Sequence, residues 1–490
     1  MKFLGKDPNI IDAYYTATAE GAITAGKPVI VEADGDVAQV GPSAQAVGTP
    51  VVFEDGYMID DTASVFDPVN NKIVIAYQDY GNSLYGTAVV GTVNASDNSI
   101  SYGTPVVFES AATDNIGIAY DSLNDKIFIV YADDGNSAYG TGIGGVVSGT
   151  SITFQTAGVY ESAGTGDNSV AFDESTNVFL IAYRDVGDSS KGKVCTAHLD
   201  STSPTYGSPQ EFEGGFTKQI TATYVGSGST VVSFVDFNDS DKGKAIAATI
   251  DASTRSNPTA SFGTTVVFAN GGSVGQSQHS AYDSNADRVV IPYRDGNNSG
   301  YGTAVVGTVS GTSISFGTPV VFESADSRYN AAVYDSNAGK INIAYSDWGN
   351  SKYGTAITGT VSGTSISFET ATVFESAQSD NISAAFDSNQ NRTAIAYNDD
   401  GNSDKGTGVV YQGVSSNLTS ENYIGIAADT YADNEDSTIG IVGCIDRNQT
   451  GLTAGQQYFV QTDGTLSTTA GSPSVLAGTA ISATELVVKE

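Results

Sequence analysis

An aspartate-containing motif recurs seven times in this chain and is the first candidate for chemistry. Its fullest form is Asp-x-Gly-Asn-Ser, as in residues 347–351. The copies begin at Asp79, Asp133, Asp185, Asp236, Asp295, Asp347 and Asp399. Asp, Asn and Ser oxygens are hard ligands of the kind that Ca²⁺ accepts, but one carboxylate per loop supplies little charge for holding an ion. We interpret the motif as a structural turn and keep calcium coordination as the alternative; no other cofactor is expected.

The residues beside this framework vary from copy to copy, although the framework itself repeats. The position after the loop Asp is aromatic in three copies and acidic in two, namely Tyr80, Phe237, Trp348, Asp134 and Asp400. A repeating scaffold with variable loop tips is typical of a binding surface. We therefore expect these five residues to contact a ligand, with the three aromatic rings as platforms for sugar rings or a protein partner. The alternative is that they are scattered surface residues.

Familiar catalytic and metal-binding constellations do not occur in the sequence. His198 and His279 lack metal-ligand spacing and are interpreted as surface or core residues, and no Gly-x-Ser-x-Gly, His-Glu-x-x-His or paired-cysteine motif is found. Arg184 and Arg294 occupy equivalent repeat positions, and Arg328 lies elsewhere. We interpret these arginines as solvated or ion-paired. From these absences the sequence predicts a protein that is not an enzyme.

Composition limits the partners of the chain. Its 490 residues carry a formal net charge of −34 and only 21 Lys and Arg. Such an acidic surface argues against nucleic acid and anionic membranes as partners. The two cysteines fall in different regions and are interpreted as buried free thiols. The first residues lack the apolar core of a secretory signal, and no stretch approaches the roughly 20 apolar residues of a membrane span. We expect either processing before residue 1 or another route of export, such as assembly into a virus particle.

The elements that must position these residues are short strands in a long repeat. An apolar-aromatic-Glu strand end, or a close variant, recurs at intervals of 52 to 56 residues at Phe53, Phe108, Tyr160, Phe212, Phe268, Phe322 and Phe374. Two independent markers thus give seven copies with the period of propeller blades. In the sixth copy, strands are predicted at residues 331–334, 340–345, 354–360 and 365–374, with one face of the second strand buried. The sequence predicts an all-β protein with a seven-bladed β-propeller of four-stranded blades.

The propeller is predicted to span residues 47–414. Its first strand, residues 47–54, precedes every inner strand, so we expect it to supply the outer strand of the seventh blade and to remove the free sheet edge. The flanking residues 1–46 and 415–490 share a Thr-Ala-Gly…Asp-Gly hairpin module. We expect them to form one small β domain for attachment or homo-oligomerisation, with the propeller inserted between its halves. Two separate β modules are the alternative.

The core of the loop motif, as in residues 347–351, resembles the Asp-box of sialidase-like propellers. In that family the Asp-box is a structural turn remote from the active site. The match is incomplete, because Lys352 stands where an aromatic residue is usual.

The tandem units resemble repeats in virion and tail-fibre proteins of marine tailed phages. Residues 302–316 and 317–324 carry this resemblance, and residues 451–460 with 478–486 resemble a small β module of phage structural proteins. The resemblance implies a non-enzymatic virion protein, as a tail fibre, appendage or capsid decoration. Its exposed propeller would contact other virion subunits, a host surface glycan or a receptor. A secreted or cell-surface adhesin or lectin is the alternative.

Overall fold

The computed structural model describes residues 13–32, 34–200, 202–254, 257–271, 278–471 and 473–489. The chain divides into two compact units, Gln45–Gly413 and a unit of both chain ends, Met1–Ala44 with Val414–Glu490. The start of the chain, on which the expectation about a secretory signal rests, lies outside the described residues. Within the described residues, no helix has the length and hydrophobicity needed to cross a bilayer.

The sequence repeats of the larger unit each fold as an antiparallel sheet, and the sixth shows the arrangement. The inner part of Val320–Asp335 pairs with Lys340–Asp347, which pairs in turn with Tyr353–Ser362. Ser365–Phe368 and the beginning of Thr372–Asp387 share the outer position. Because such sheets follow one another from blade to blade, the architecture is a β-propeller, and the predicted all-β fold class is confirmed.

The strand bounds repeat with the sequence. The long strands that begin outside and end inside are Val51–Asp67, Val106–Asp121, Gly158–Asp173, Val320–Asp335 and Thr372–Asp387, and two junctions have shorter pieces, Gln210–Glu213 with Thr217–Tyr224, and Val266–Ala269 with Gln278–His279 and Ala281–Asp283. The second strands are Lys72–Asp79, Lys126–Asp133, Val178–Asp185, Ser229–Asp236, Arg288–Asp295, Lys340–Asp347 and Arg392–Asp399. The third strands are Tyr85–Asn94, Tyr139–Ser148, Lys191–Leu199, Lys242–Asp251, Tyr301–Ser310, Tyr353–Ser362 and Lys405–Gln412. The short outer strands are Ala46–Val47, Ser99–Tyr102, Ser151–Phe154, Pro204–Tyr206, Thr259–Phe262, Ser313–Phe316 and Ser365–Phe368.

The connection between blades differs from the prediction. A single outer strand at residues 365–374 was expected, but Ser365–Phe368 ends early and Thr372–Asp387 runs on into the next blade. Val320–Asp335 does the same, pairing first with Tyr301–Ser310 and then with Lys340–Asp347. Register shifts in both pairings mark β-bulges, which bend a strand while its backbone hydrogen bonds continue. One strand can therefore serve two blades.

The ring closes as the sequence predicted. Ala46–Val47 and the start of Val51–Asp67 pair with Lys405–Gln412, for instance Val47 with Tyr411 and Val52 with Thr407. The beginning of the propeller chain thus completes its last sheet and covers an edge that would otherwise present unpaired backbone groups.

The core of the propeller lies between neighbouring blades. Ile341, Ile343 and Tyr345 pack on one side of the second strand, whereas Ala344 belongs to a different apolar cluster on the other side. The expectation that only one face of this strand is buried was therefore wrong. The small residues between the large apolar ones are buried as well, and their small size allows the adjacent blade to approach closely.

The Glu of the strand-end marker accepts a hydrogen bond from the tyrosine that stands two residues before the loop Asp. The Tyr345 hydroxyl donates to Glu323 Oε2 over 3.0 Å, and four other blades repeat the bond between Tyr77 and Glu54, Tyr131 and Glu109, Tyr183 and Glu161, and Tyr397 and Glu375. Burial raises the pKa of Glu323. The aromatic residue that precedes the Glu of the marker packs on a glycine. In the copy with Glu375, for example, a Cβ at Gly354 would collide with the Phe374 ring.

The smaller unit contains two five-stranded sheets. Their orders are Tyr14–Thr18, Asp436–Gly440, Tyr423–Ala427, Pro28–Val31 and Val37–Gln39, and Ile445–Asp446, Leu486–Val488, Val475–Ala480, Gln457–Val460 and Leu466–Ser467. Each Asp-Gly module forms a hairpin. One apolar cluster contains Ile30 from the first half together with Tyr423 and Val460 from the second. The only two cysteines, Cys195 of the propeller and Cys444 of this unit, are buried and free.

Candidate functional site

The repeated Asp serves the turn in which it lies. Asp347 Oδ1 accepts the backbone N–H groups of Gly349 and Asn350 at 2.9 and 3.1 Å, capping one turn of 3-10 helix, Trp348–Asn350. Five other copies, Asp79, Asp133, Asp185, Asp236 and Asp295, make the same kind of bond, whereas Asp399 has no such cap. Burial raises the pKa of Asp79, Asp133, Asp347 and Asp399. Among the described residues, no group of three or more His, Cys, Asp or Glu side chains could hold a metal ion.

These loops lie against the start of the inner strands. A Cβ on Gly349 would collide with Ala325, which belongs to the long strand Val320–Asp335. We call the surface formed by the seven Asp loops and these crossing strands the loop face. One position of the crossing strands can be followed from blade to blade. Its residues are 61, 115, 167, 219, 329 and 381, and those of consecutive blades are 52 or 54 residues apart.

The predicted ligand contacts are distributed over this face and are not brought together. Tyr80 and Phe237 are 52% and 48% exposed, and Asp134 and Asp400 are also exposed. Trp348 is half-buried, with Arg328 Cζ 3.5 Å and Lys352 Nζ 4.3 Å from its ring centroid. Two cationic side chains thus already occupy the ring of Trp348, which makes it a poor platform for a sugar.

A polar pocket of about 380 Å³, open to solvent, lies among the inner strands. We call it the axial pocket, because strands from successive blades surround it. Its rim includes Asp61, Asn115, Asp167, Gln219, Tyr329 and Asn381. All but Asp61 are recorded with a positive φ, between 50° and 53°, a conformation in which Asn and Asp are the favoured non-glycine residues. The sequence analysis missed this set; its signal was the regular spacing of polar residues before each inner strand.

The rim side chains connect one blade to the next. Asp167 N–H donates to Asn115 Oδ1 at 2.7 Å, and Gln219 N–H donates to Asp167 Oδ1 at 2.6 Å. Asn115 N–H donates in the same way to Asp61 Oδ2. Arg184 Nε contacts the second oxygen of Asp167 at 2.7 Å. These bonds hold the side chains of Asp61, Asn115 and Asp167 in fixed orientations.

Asn168 and His279 are two further residues of the pocket lining. Asn168 is 6% exposed, and neither atom of its side-chain amide has a hydrogen-bond partner within the described structure. His279 also lines the pocket, and its side chain is exposed, in agreement with its interpretation as a surface residue. His198 is instead held by the Asn177 carbonyl, 3.0 Å from its Nδ1.

The larger unit shares its fold with known propellers. No known protein-family profile matches the chain. No curated protein sequence matches it. The BP39L lectin of Burkholderia pseudomallei is similar in structure, with a TM-score of 0.52 and 10% identity over 75% of this chain and 97% of the lectin. A periplasmic gluconolactonase of Pseudomonas aeruginosa gives 0.47 with 11% identity over 74% and 97% of the two chains, and the NanB sialidase of Streptococcus pneumoniae gives 0.43 with 10% identity over 74% and 70%.

The prediction that the chain is not an enzyme was wrong as a deduction. A gluconolactonase and a sialidase stand beside the lectin among the structures found to be similar, and both are enzymes. The missing motifs in the sequence excluded only known catalytic constellations. An arrangement assembled from one residue per blade has no such local motif.

Proposed function

We propose that this protein binds saccharides in the axial pocket of its propeller. The observation that carries the proposal is the lining of the pocket, in which the buried and unpartnered amide of Asn168 lies next to the fixed side chains of Asp61, Asn115 and Asp167. A buried polar group without a partner is costly, so a ligand that supplies hydrogen bonds at this site is favoured.

The chemistry of the pocket fits a hydroxyl-rich ligand. Its volume of about 380 Å³ falls in the range of small-molecule sites, but its lining is mainly polar rather than apolar. Asp, Asn and Gln side chains can each accept hydrogen bonds from the hydroxyl groups of a sugar, and the Asn and Gln amides can also donate hydrogen bonds to them. Support from the comparisons is limited to the fold, which is shared with a lectin.

The setting that we propose is an exposed outer surface. A secreted or cell-surface protein with a lectin-like role is the better supported of the two settings expected from the sequence. The virion setting, with other virion subunits as partners, rests on the resemblance of the repeats alone. Immunogold labelling of phage particles and of intact cells with an antibody against the chain tests the two settings against each other.

The binding proposal is tested with the whole chain on a glycan array, followed by calorimetry with the best saccharides. The variant Asn168→Ile is well matched, because Ile116, Ile220 and Ile382 occupy the equivalent position in other blades. Leu123→Ala, at a residue 56% exposed in a turn at the other end of an inner strand, is the control.

We expect Asn168→Ile to weaken binding by about tenfold, as for the loss of one or two hydrogen bonds, while Leu123→Ala changes nothing. Following the bound saccharide for new reducing ends distinguishes binding from turnover. If no saccharide binds, or if Asn168→Ile binds as tightly as the natural chain, the proposal is wrong.

A further inference from the structure

Two arginines contact one carboxylate on the loop face, and a lysine lies over the same tryptophan ring as one of them. Arg294 Nε lies 2.6 Å from Asp326 Oδ1, and Arg328 Nη2 lies 3.1 Å from Asp326 Oδ2. Arg328 also stacks on Trp348, and Lys352 approaches the same ring. We call Arg294, Asp326, Arg328, Trp348 and Lys352 the Trp348 cluster.

The cluster has more positive charge than its own carboxylate can balance. Lys352 Nζ donates to the neutral amide of Gln378 at 2.9 Å, and that amide donates to Asp380 Oδ2 at 2.6 Å. Like charges a few ångströms apart repel, and the ring of Trp348 offsets only part of this repulsion. In a chain of net charge −34, such a local excess of cations is unusual.

The same surface contains a matched arrangement that is neutral. Arg184, Lys218, Phe237 and Asp241 precede Arg294, Arg328, Trp348 and Lys352 by 110 or 111 residues. Lys218 Nζ lies 4.6 Å from the Phe237 ring centroid, as Arg328 lies over Trp348. Here, however, Asp241 takes the place of Lys352 and pairs with Lys218 at 3.1 Å, and Asp167 pairs with Arg184 at 2.7 Å. Two cations are balanced by two carboxylates.

Two donors of the Trp348 cluster have no partner within the described structure. They are Arg328 Nε and Trp348 Nε1, both buried at the atom level. An N–H group withdrawn from water without an acceptor is destabilising, and an anionic acceptor would bond more strongly than a neutral one. Arg328 directly precedes Tyr329 of the pocket rim in the sequence.

We infer that the Trp348 cluster binds an anionic group, a carboxylate or a sulfate ester, of the saccharide held by the propeller. This inference rests on the proposed function for the nature of the ligand, but not for the anion site itself. Arg328 and Lys352 bind the anionic oxygens, while Arg294 and Asp326 position the Arg328 guanidinium. The neutral arrangement around Phe237 does not bind anions.

A reciprocal exchange of charge tests the inference. Lys352→Asp copies the neutral arrangement, and Asp241→Lys copies the cationic one. Both positions have φ between 55° and 63°, and each residue type is already present there in one of the two blades, so both variants are expected to fold. The whole chain and both variants are titrated with oligogalacturonate, sulfated dextran, neutral dextran and polyacrylate, at low and at high salt.

We expect Lys352→Asp to weaken binding of the anionic saccharides by about tenfold or more, with neutral ligands unchanged. Asp241→Lys should strengthen anion binding, and high salt should remove the difference between variants. Preference for oligogalacturonate or for sulfated dextran identifies the anionic group. If both variants bind all anions as the natural chain does, the inference is wrong, even where neutral saccharides bind. If polyacrylate binding depends on Lys352 but no saccharide binds, the inference of an anion site is supported and the proposal of saccharide binding is wrong.

Discussion

Removing one hydroxyl group from the sixth blade tests how much the Glu of the strand-end marker contributes to holding adjacent blades together. In Tyr345→Phe the ring stays in the core, but Glu323 loses the hydrogen bond that it accepts over 3.0 Å. The fifth blade offers a natural control, because Ala269 replaces the marker Glu and Tyr293 has no such partner at that position. The fourth blade already has Phe234 in place of the Tyr.

The size of the effect follows from the partner. A hydrogen bond to a carboxylate contributes about 1.5–3 kcal/mol. Glu323 is half-buried, so water replaces part of the lost bond, and we expect Tyr345→Phe to lower the free energy of unfolding by about 1.5 kcal/mol. Unfolding of the roughly 370 residues of Gln45–Gly413 has an entropy of about 0.8 kcal/mol/K, so Tm falls by about 2 °C.

Differential scanning calorimetry of the whole chain measures this change, with Tyr293→Phe scanned beside it. The control should shift Tm by less than half as much, because no carboxylate is deprived of a donor. Equal shifts in the two variants would refute the reasoning, since the cost would then come from the ring environment and not from the pair with Glu323.

Three further predictions concern packing, pH and cations. Gly354→Ala should destabilise the propeller by about 1–3 kcal/mol in urea unfolding, because the new Cβ meets the Phe374 ring; Gly363→Ala, in open space at a positive φ, separates backbone strain from this collision. Burial raises the pKa of Asp79, Asp347 and Glu323, so the folded chain holds protons that the unfolded chain has released. The stabilisation from these groups is complete below their unfolded pKa values and is lost as pH rises through their folded pKa values. Tm should therefore rise as pH falls from 7 towards 5. A flat profile would contradict this. Asp347→Ala should cost about 1 kcal/mol through the lost cap, and Tm should not respond to Ca²⁺ or to a chelator, whereas a calcium-dependent rise would restore the alternative of a cation site.

The sequence revealed the fold because the fold is repeated. Each marker occurs once per blade, so a weak strand signal gains weight from its period. The closing strand followed from the same logic, since residues 47–54 had no inner strand before them. Burial on both faces of the second strand was missed, because residues such as Ala344 look neutral in an alternating pattern and become core only when another blade covers them.

The candidate site was harder to predict, because each blade contributes only one or two residues to it. Asn115 and Asp167 are 52 residues apart and become neighbours only when consecutive blades pack side by side. Whether the ring of Trp348 is free to contact a ligand depends on Arg328, which lies twenty residues earlier in a different strand and covers the ring. Local patterns could identify Trp348 as a loop residue but could not show that cations cover its ring.

The long strands shared by adjacent blades have a mechanical consequence. A tensile load applied to one blade passes to the next through continuous backbone hydrogen bonding, without a slack connector to absorb it. Two junctions are exceptions. Residues 214–216 interrupt the strand between Gln210–Glu213 and Thr217–Tyr224, and Val266–Ala269 is separate from Gln278–His279. Under shear, these two seams are where the ring should open first, and the blades joined by continuous strands should detach together.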